Sequence, residues 1–337
     1  MSIVITGATG FVMANLARHL AELGHAVVAA DVSPPDTALA EFLSGLPGAV
    51  TFRQVEVTDR QAVGALVREA RPVRVVHGAA ITAIPEDAER ARFFRTADVN
   101  VMGTLTVLEA LREAGAPGRI VVVSSGSVYG GRPDLTPIGE DDAKTPQALY
   151  PLTKWAAEAL AARFAEVHGL DAAVVRLTSP FGPFERDTGS RPLLSPMQRW
   201  CAAAVRGEPV RVSGPPDQAR DAVYVGDVAS GIAAVLLADR LPHRVYNVGW
   251  GQGTTAGDAL SALTRLVPGL RVEFHPEEPS PWRSPANPPR GPLSVDRLRQ
   301  DLGWAPRYDL DSWLAAYLAW LRATPSAVAG RSGPGSD

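Results

Sequence analysis

A tyrosine and a lysine four residues apart are the pair in this sequence best suited to chemistry. Tyr150 and Lys154 begin a segment with apolar residues at helical spacing, so their side chains would share one helix face. An ammonium group beside a phenol stabilises the phenolate and lowers the phenol pKa from about 10 toward the working range. Such a phenol can exchange a proton with a hydroxyl while hydride moves to or from a nicotinamide ring. The spacing therefore predicts hydride transfer, and the competing interpretation is a packing aromatic beside a surface lysine.

Lysine is rare in this chain, which makes the pair more specific. Lys144 and Lys154 are the two lysines among the 33 basic residues, and the other 31 are arginines. A lysine at position 154 supplies a compact charge with rotatable donors, which an arginine does not. We expect its ammonium also to hydrogen-bond the nicotinamide ribose.

Two serines follow a predicted strand shortly before this pair. Ser125 and Ser127 belong to the stretch Ser124–Gly130. Ligands bind at the carboxyl ends of parallel strands, where a serine can hydrogen-bond the reacting oxygen. Serines are also common in turns, so this segment alone does not decide between a site and a turn.

A glycine loop between the first strand and the first helix is suited to binding a pyrophosphate. Gly7 and Gly10 allow the backbone to turn tightly and approach the phosphates, which then lie at the helix N-terminus. The third glycine of such loops would fall at position 13, where this chain has Met13. The residues of this loop predicted to contact the cofactor are Gly7, Thr9, Gly10, Phe11 and Val12.

A carboxylate ends the second predicted strand. Asp31 stands where an acid would bond the adenosine ribose hydroxyls of a dinucleotide. The same charge would repel a 2′-phosphate, so the position favours NAD over NADP. The alternative is a solvated turn residue before Ser33–Pro35.

Short apolar runs alternate with helical patterns through the first half of the chain. This predicts an α/β fold, a Rossmann-like doubly wound parallel sheet with a smaller C-terminal substrate-binding lobe. Residues 1–177, with a strand at 243–248 returning to them, would form the NAD-binding domain. Residues 178–242 and 249–323 would form the lobe, and the tail 324–337 is predicted to be disordered. The predicted strands of the first half are Ser2–Thr6, Ala26–Ala30, Val50–Val57, Val73–His77, Arg119–Ser124 and Ala172–Leu177.

The composition argues against several classes of protein. The 337 residues are 46% hydrophobic with a formal net charge of -3, so we expect no nucleic-acid partner. No apolar run is long enough to predict a membrane span, and the start lacks the features of a signal peptide. Cys201 is the single cysteine, so no disulfide can form within the chain and a cytoplasmic location is expected. We predict no metal site.

These elements together resemble the extended short-chain dehydrogenase/reductase family, in its NAD-dependent epimerase/dehydratase branch, from about Ser2 to Leu321. The resemblance implies an NAD-dependent enzyme. In it, Glu56–Asp59 is similar to the segment that binds adenine, with Glu56 where the family usually has Asp, and His77–Ala80 is similar to the loop under the pyrophosphate. Asn100 would steady the active-site backbone. The cofactor contacts implied outside the glycine loop are Asp31, Glu56, Val57, Gly78, Ala79, Ala80, Asn100, Tyr150 and Lys154.

The resemblance also implies roles in the reaction. Ser125 precedes Tyr129 as in the family pattern S-x-x-V-Y-G, which makes it the catalytic serine beside Tyr150 and Lys154. Arg220 falls in a segment whose arginine often holds a nucleotide-sugar phosphate. The substrate-binding residues that we predict are Ser125, Ser127, Ser179, Arg186, Arg191 and Arg220.

Departures from the family pattern narrow the chemistry. The 4,6-dehydratases carry Asp-Glu where this chain has Gly126 and Ser127, and the uronic-acid decarboxylases keep a Glu at the second of these places. Ser179 replaces an Asn that usually contacts the diphosphate. Arg186 and Arg191 could bind a phosphate or carboxylate as two-pronged donors, or could be solvated loop charges.

Three functions stay open on this basis. The first is an NAD-dependent epimerase of a sugar, with a nucleotide sugar as the expected substrate, acting through a transient keto intermediate. The second is a dehydrogenase or reductase of a sugar, sugar acid or other secondary alcohol. The third is a non-catalytic NAD-binding protein, against which the set Ser125, Tyr150 and Lys154 argues. Relatives suggest a homodimer formed through the apolar faces of Thr96–Ala114 and Leu152–Phe164.

Overall fold

The strands of the computed structural model agree closely with the apolar runs of the sequence. The described residues are 2–82, 86–115, 118–132, 134–280 and 288–324, so the expected tail lies, apart from Thr324, outside them. The strands are β1 (Ser2–Thr6), β2 (Ala26–Asp31), β3 (Val50–Gln54), β4 (Arg74–His77), β5 (Arg119–Ser125), β6 (Ala172–Leu177), β7 (Ser179–Phe181), β8 (Val210–Ser213), β9 (Ala219–Arg220), β10 (Ala222–Tyr224), β11 (Val245–Val248), β12 (Thr254–Thr255) and β13 (Val272–His275).

Helices connect these strands. A π-helical turn (Asp98–Met102) and a 3₁₀ turn (Gly126–Tyr129) interrupt the regular pattern next to the site. The helices are α1 (Phe11–Glu22), α2 (Thr37–Phe42), α3 (Arg60–Ala70), α4 (Glu86–Ala97), α5 (Gly103–Glu113), α6 (Leu149–His168), α7 (Pro196–Arg206), α8 (Val225–Leu237), α9 (Ala256–Leu266), α10 (Asp296–Leu302) and α11 (Leu310–Ala323). Within the described ranges, no helix has both the length and the apolar content needed to cross a bilayer.

A seven-stranded parallel sheet has the order β11-β6-β5-β4-β1-β2-β3, which is the doubly wound arrangement that the sequence predicts. The chain leaves β1 toward β2 and later returns on the other side of β1 as β4. The carboxyl ends of β1 and β4 therefore open a crevice between them, where such sheets bind ligands.

Both faces of the sheet are covered, which explains the uninterrupted apolar runs. Along β5, Val121 and Val123 face the core that α1 and α8 share, while Ile120 and Val122 face the core with α3 and α5. Alternate residues point to opposite faces of a strand, so a strand that is buried on both faces must be apolar throughout.

The third strand is shorter than the predicted Val50–Val57. It ends at Gln54, and the Val55 N–H donates to the Asp31 carbonyl at 2.8 Å. The chain then turns at Glu56–Asp59, where the Asp59 side chain caps α3. The hydrogen bonds of the turn and of the helix cap thus end the strand before the apolar pattern of the sequence ends.

Part of the chain after Leu177 builds a second lobe with its own apolar core, whereas α8, which the sequence predicts in this lobe, packs against α1 and the main sheet. Helices α7, α9 and α11 pack together around Phe181, Trp200, Trp313 and Tyr317. Three two-stranded pairs, β7–β10, β8–β13 and β9–β12, complete this lobe. The lobe faces the carboxyl ends of the main sheet and closes a cavity over them.

Met13 packs closely against the sheet because the opposite residue is a glycine. A Cβ atom placed on Gly78 would lie 2.3 Å from Met13 Sδ and 2.5 Å from its Cγ. Met13 is buried, and its side chain occupies the space above Gly78. A third glycine in the loop would allow α1 to pack closely against the sheet. Here Gly78, which follows β4, allows this packing instead.

We predict that Gly78→Ala destabilises the protein by about 1–3 kcal/mol, because the added methyl group overpacks against Met13. Met13→Ala vacates the same space, so Gly78→Ala should cost less in that background. Urea unfolding of the two single variants and the double variant measures this coupling. Gly139→Ala, where the added methyl meets nothing within 4 Å, is the control. Additive effects of the two substitutions would contradict the packing account.

Candidate active site

A cavity of about 1100 Å³ lies where the second lobe meets the carboxyl ends of the sheet strands. Two predicted site residues, Asn100 and Arg220, do not line it. Arg290, a weaker candidate in a proline-rich stretch of the sequence, does. The predicted residues that line the cavity are Gly7, Thr9, Gly10, Phe11, Val12, Asp31, Glu56, Val57, Gly78, Ala79, Ala80, Ser125, Ser127, Tyr150, Lys154, Ser179, Arg186 and Arg191.

The glycine loop has a backbone that accommodates a dinucleotide. Gly7 has a φ of +72°, and a Cβ there would lie 2.7 Å from the backbone of Ala79. The Gly10 N–H donates to the Gly7 carbonyl at 3.0 Å, which holds the tight turn. No side chain caps α1 at Gly10, so its first-turn N–H groups are not engaged by a capping side chain and can face an anion.

Asp31 ties the end of β2 to this loop. Its Oδ2 accepts a hydrogen bond from the Thr9 N–H at 2.9 Å, and its Oδ1 accepts one from the Ser33 N–H at 3.3 Å. The carboxylate is held at one end of the cavity, with acceptor capacity left for ribose hydroxyls. Along the same wall, Glu56 forms an ion pair with Arg95. These groups fit the adenosine half of NAD.

The tyrosine–lysine pair lies in the first turns of α6, at the opposite end of the cavity. Burial raises the pKa of Tyr150, while a hydrogen bond with Ser125 and the charge of Arg191 lower it. Burial also lowers the pKa of Lys154 to about 8, against the charge of Glu158, which raises it. The expectation that Lys154 brings the phenol pKa below its usual value is therefore not met in the protein alone, because removing the phenol from water dominates.

The serine segment is held at the end of β5. Ser125 Oγ accepts from the Ser127 N–H at 3.2 Å and from Ser127 Oγ at 2.9 Å. A Cβ on Gly126 would lie 2.8 Å from Leu293 Cδ1, so Leu293 fills the space that a side chain at 126 would need. Position 126, which bears an acid in 4,6-dehydratases, therefore has a glycine in this chain, and Leu293 occupies the space that an acidic side chain would need.

Asn100 links the loop after β4 to the catalytic helix. Its Oδ1 accepts from the Ile81 N–H at 2.8 Å, and its Nδ2 donates to the Ile81 carbonyl and to Thr153 Oγ1, both at 2.9 Å. The π-helical turn at Asp98–Met102 carries it to this place. Asn100 therefore fixes the backbone of Ile81 and the side chain of Thr153, the residue before Lys154, without lining the cavity.

His77 is a packing residue of this network. Its Nδ1 lies 2.8 Å from Thr6 Oγ1, and its Nε2 lies 3.1 Å from Thr104 Oγ1. Burial, followed by the charge of Lys154, lowers the His77 pKa to about 3, so the ring stays neutral. Both ring nitrogens are engaged by threonines.

Arginines from the second lobe approach the cavity near Ser179. Arg220 Nε donates to Ser179 Oγ at 3.2 Å. The neighbouring Asp221 is buried and accepts from the backbone of Trp250 and of Leu293; burial raises its pKa to about 6. Arg290 is also buried, and burial lowers its pKa to about 10, against the charge of Asp221, which raises it. This part of the site therefore places two arginines near one acid.

The segment Phe184–Ser195 lies across the cofactor crevice. At one end Arg186 forms an ion pair with Asp36, next to the loop that follows Asp31. At the other end the Thr82 N–H donates to the Ser190 carbonyl at 2.9 Å, beside the loop after β4. We call Phe184–Ser195 the crossing segment. Arg186, predicted to bind substrate, therefore lies at the adenosine end of the cavity.

Arg191 in the crossing segment faces the reacting end. Its guanidinium lies 5.1 Å from the centre of the Phe11 ring and pairs with Glu185 at 3.0 Å. Glu185 is buried and also accepts from the N–H and the hydroxyl of Ser195, each at 2.7 Å. Of the two segment arginines, Arg191 is the one whose charge acts on Tyr150.

Comparison with known proteins gives consistent matches along the chain. Residues 3–249 match the model of the NAD dependent epimerase/dehydratase family. The UDP-glucose 4-epimerase of Azospirillum brasilense is 27% identical, over 99% of this chain and 96% of its own length. The structure of a UDP-glucose 4-epimerase of Thermotoga maritima with UDP-glucose has a TM-score of 0.81 at 25% identity, covering 96% of this chain and 100% of that one. MoeE5 in complex with UDP-glucose and NAD has a TM-score of 0.79 at 27% identity, over the same shares.

We predict that Gly7→Ala greatly weakens NAD binding, because the added methyl would meet the Ala79 backbone and α1 would be displaced. Gly45→Ala is a matched control: its φ of +66° imposes the same left-handed strain, but nothing lies within 4 Å of the added methyl. The control should keep its NAD affinity and lose about 1–2 kcal/mol of stability. Calorimetric titration with NAD measures both variants, and equal affinity losses would count against the assignment of this loop.

Proposed function

This chain belongs to the NAD dependent epimerase/dehydratase family, and we propose that it is an epimerase of a nucleotide sugar. The observation that carries the proposal is the reacting end of the cavity. There Ser125, Tyr150 and Lys154 lie together, and Leu293 fills the space beside Gly126 where an eliminating enzyme needs an acid. The arrangement supports proton and hydride exchange at a secondary alcohol without elimination.

Each residue of the reacting end has a distinct part in this reaction. Tyr150 takes the proton of the sugar hydroxyl and later returns it to the keto oxygen. Lys154, as an ammonium, stabilises the phenolate of Tyr150 and donates to the nicotinamide ribose. Ser125 hydrogen-bonds the reacting oxygen. NAD, when bound, accepts hydride from the sugar carbon and returns it to the opposite face of the keto sugar.

A nucleotide diphosphate group accounts for the cations of the second lobe. Arg290 lines the cavity, Arg220 lies behind the lining with its Nε on Ser179, and both are close to the acid Asp221. Guanidinium groups bind phosphate oxygens as two-pronged, charge-assisted donors. The relatives named above include enzymes of UDP-glucose, so we propose a UDP-sugar or similar substrate, with the sugar directed toward Tyr150.

The crossing segment supports retention of the cofactor through each turnover. It contacts both walls of the crevice, through Arg186 with Asp36 and through Ser190 with Thr82. Cofactor release would require these contacts to open. An epimerase needs the same NAD for both hydride steps, whereas a dehydrogenase must exchange it at every turnover.

A dehydrogenase or reductase of a secondary alcohol is the second candidate. The observation that favours it is Ser179, which stands where nucleotide-sugar enzymes usually carry an Asn. Arg191, facing Tyr150, would then bind the carboxylate of a sugar acid. Net formation of NADH separates this candidate from an epimerase.

We predict that the purified protein interconverts UDP-glucose and its epimer with no net absorbance change at 340 nm. Tyr150→Phe should lower kcat by about 10²–10⁴-fold, because the proton donor and acceptor is lost. Tyr308→Phe makes the same change outside the cavity and should leave kcat unaltered. Stoichiometric NADH production would reject the epimerase, and full activity of Tyr150→Phe would reject the assigned residue.

A homodimer is part of the proposal. Apolar side chains are exposed on α4, the π-helical turn and α6, with Phe94 85% exposed, Met102 43%, Leu152 45% and Trp155 42%. An exposed apolar surface of this kind marks an interaction site. A second copy is the occupant that we propose, through the helices expected from the sequence.

Light scattering of the protein in solution should therefore give twice the mass of one chain. Trp155→Glu should reduce that mass to one chain, because a carboxylate cannot be buried without a partner. Leu23→Glu, at an exposed apolar residue on another face, should not change it. A monomeric wild-type protein would contradict the proposal.

A further inference from the structure

A buried ion pair lies one helical turn beyond Lys154, behind the reacting face. Arg176 Nε donates to the two carboxylate oxygens of Glu158 at 3.2 and 3.1 Å, and Nη2 donates to Oε2 at 2.7 Å. The side chains of Arg176 and Glu158 are 5% and 6% exposed. Ser124 Oγ also donates to Glu158. The carboxylate therefore joins α6, which carries Tyr150 and Lys154, to the ends of β5 and β6.

Further contacts fix the guanidinium of Arg176 on its side away from Glu158. Nη1 donates to the Tyr129 hydroxyl at 2.8 Å and to the Glu140 carbonyl at 2.9 Å. The Tyr129 hydroxyl in turn donates to Asn247 Oδ1 at 2.8 Å. Arg176 is therefore held by the 3₁₀ turn, by the loop at Glu140 and, through Tyr129, by β11, and it holds Glu158 in turn.

The charges that face Lys154 come from its own helix and from the sheet. Glu158, four residues later on α6, is the acid whose charge acts on the ammonium. His77 on β4 is neutral, because its pKa is about 3. Tyr150 on α6 becomes negative only after losing its proton, and Arg176 on β6 is directly paired with Glu158. Without Glu158, the buried Lys154 would lose the acid four residues later on its helix, and the buried Arg176 would lose its partner.

We propose that Glu158 is a positioning residue for the reaction: held by Ser124 and Arg176, its carboxylate keeps Lys154 in the ammonium form beside Tyr150. The energetic reason is that a buried ammonium is unstable without an opposite charge close by. Glu158 does not line the cavity, so it acts through Lys154 and touches neither substrate nor cofactor. The inference rests on the proposed role of Lys154.

The chain has two lysines, which allows the protonation of Lys154 to be measured directly. The experiment is a pH titration of the NAD-bound protein carrying lysine labelled with ¹³C at Cε, followed by NMR, with Lys144→Arg identifying the Lys154 signal. We expect Glu158→Gln to lower the Lys154 pKa by about one unit or more, because an opposite charge is removed. The alkaline limb of the kcat profile should move to lower pH with it. The NMR titration does not depend on which sugar is the substrate.

Arg176→Met is the matched variant, because it breaks the same ion pair but keeps the acid. The Lys154 pKa should stay or rise in Arg176→Met and fall in Glu158→Gln. If the ion pair had a purely structural role, the Lys154 pKa would change in the same direction in both variants. That result would overturn the proposal, and so would an unchanged Lys154 pKa in Glu158→Gln. Glu158→Asp should restore much of the wild-type value, and the exposed Glu166→Gln should not alter it.

A loss of folding in a single variant does not prevent the test. The double variant Glu158→Gln with Arg176→Met leaves no buried ion of the pair without its partner. Its Lys154 pKa should still lie below that of the wild type, because Glu158 is the group whose charge acts on Lys154. A value equal to that of the wild type would overturn the proposal.

Discussion

The burial of Tyr150 and Lys154 in the first turns of α6 is the constraint on which the proposed site depends. Removal from water disfavours the charged form of both groups, the ammonium of Lys154 and the phenolate of Tyr150. The surrounding elements oppose this cost from several directions. Asn100 binds Thr153 next to Lys154, Ser125 hydrogen-bonds Tyr150, and Arg191 adds a positive charge near the phenol.

The main sheet and the second lobe contribute different groups to this site. The carboxyl ends of β1, β2 and β4 provide backbone and one carboxylate, which suit a dinucleotide, and the second lobe provides arginines, which suit phosphates. The crossing segment connects the two parts and contacts both walls of the crevice. This arrangement suits the proposed reaction, in which hydride leaves and returns within one site.

Local sequence patterns predicted the strands and the loop because each depends on nearby residues. Alternating burial on two faces makes β5 a continuous apolar run, and Gly7 is needed where the backbone takes a positive φ against Ala79. The pattern failed at the end of β3, where a turn and a helix cap ended an apolar run early.

Contacts between distant segments could not be predicted in this way. Arg290 stands in a proline-rich stretch without periodicity, and only folding brings it to Asp221. Position 186 carries a charge typical of a substrate contact, yet Arg186 pairs with Asp36, which is 150 residues away in the chain. The packing of Met13 over Gly78 likewise joins two segments whose relation becomes visible in three dimensions.

The path of the hydride tests the central claim most directly. UDP-glucose carrying deuterium at the epimerised carbon, which in the relatives named above is C4, is incubated with the protein and an excess of unlabelled NAD. Mass spectrometry then locates the deuterium. Transfer to a retained NAD and return to the opposite face predicts that the epimer keeps its deuterium and that the NADH in solution gains none. Deuterium in the free NADH, with a keto sugar accumulating, would contradict the account.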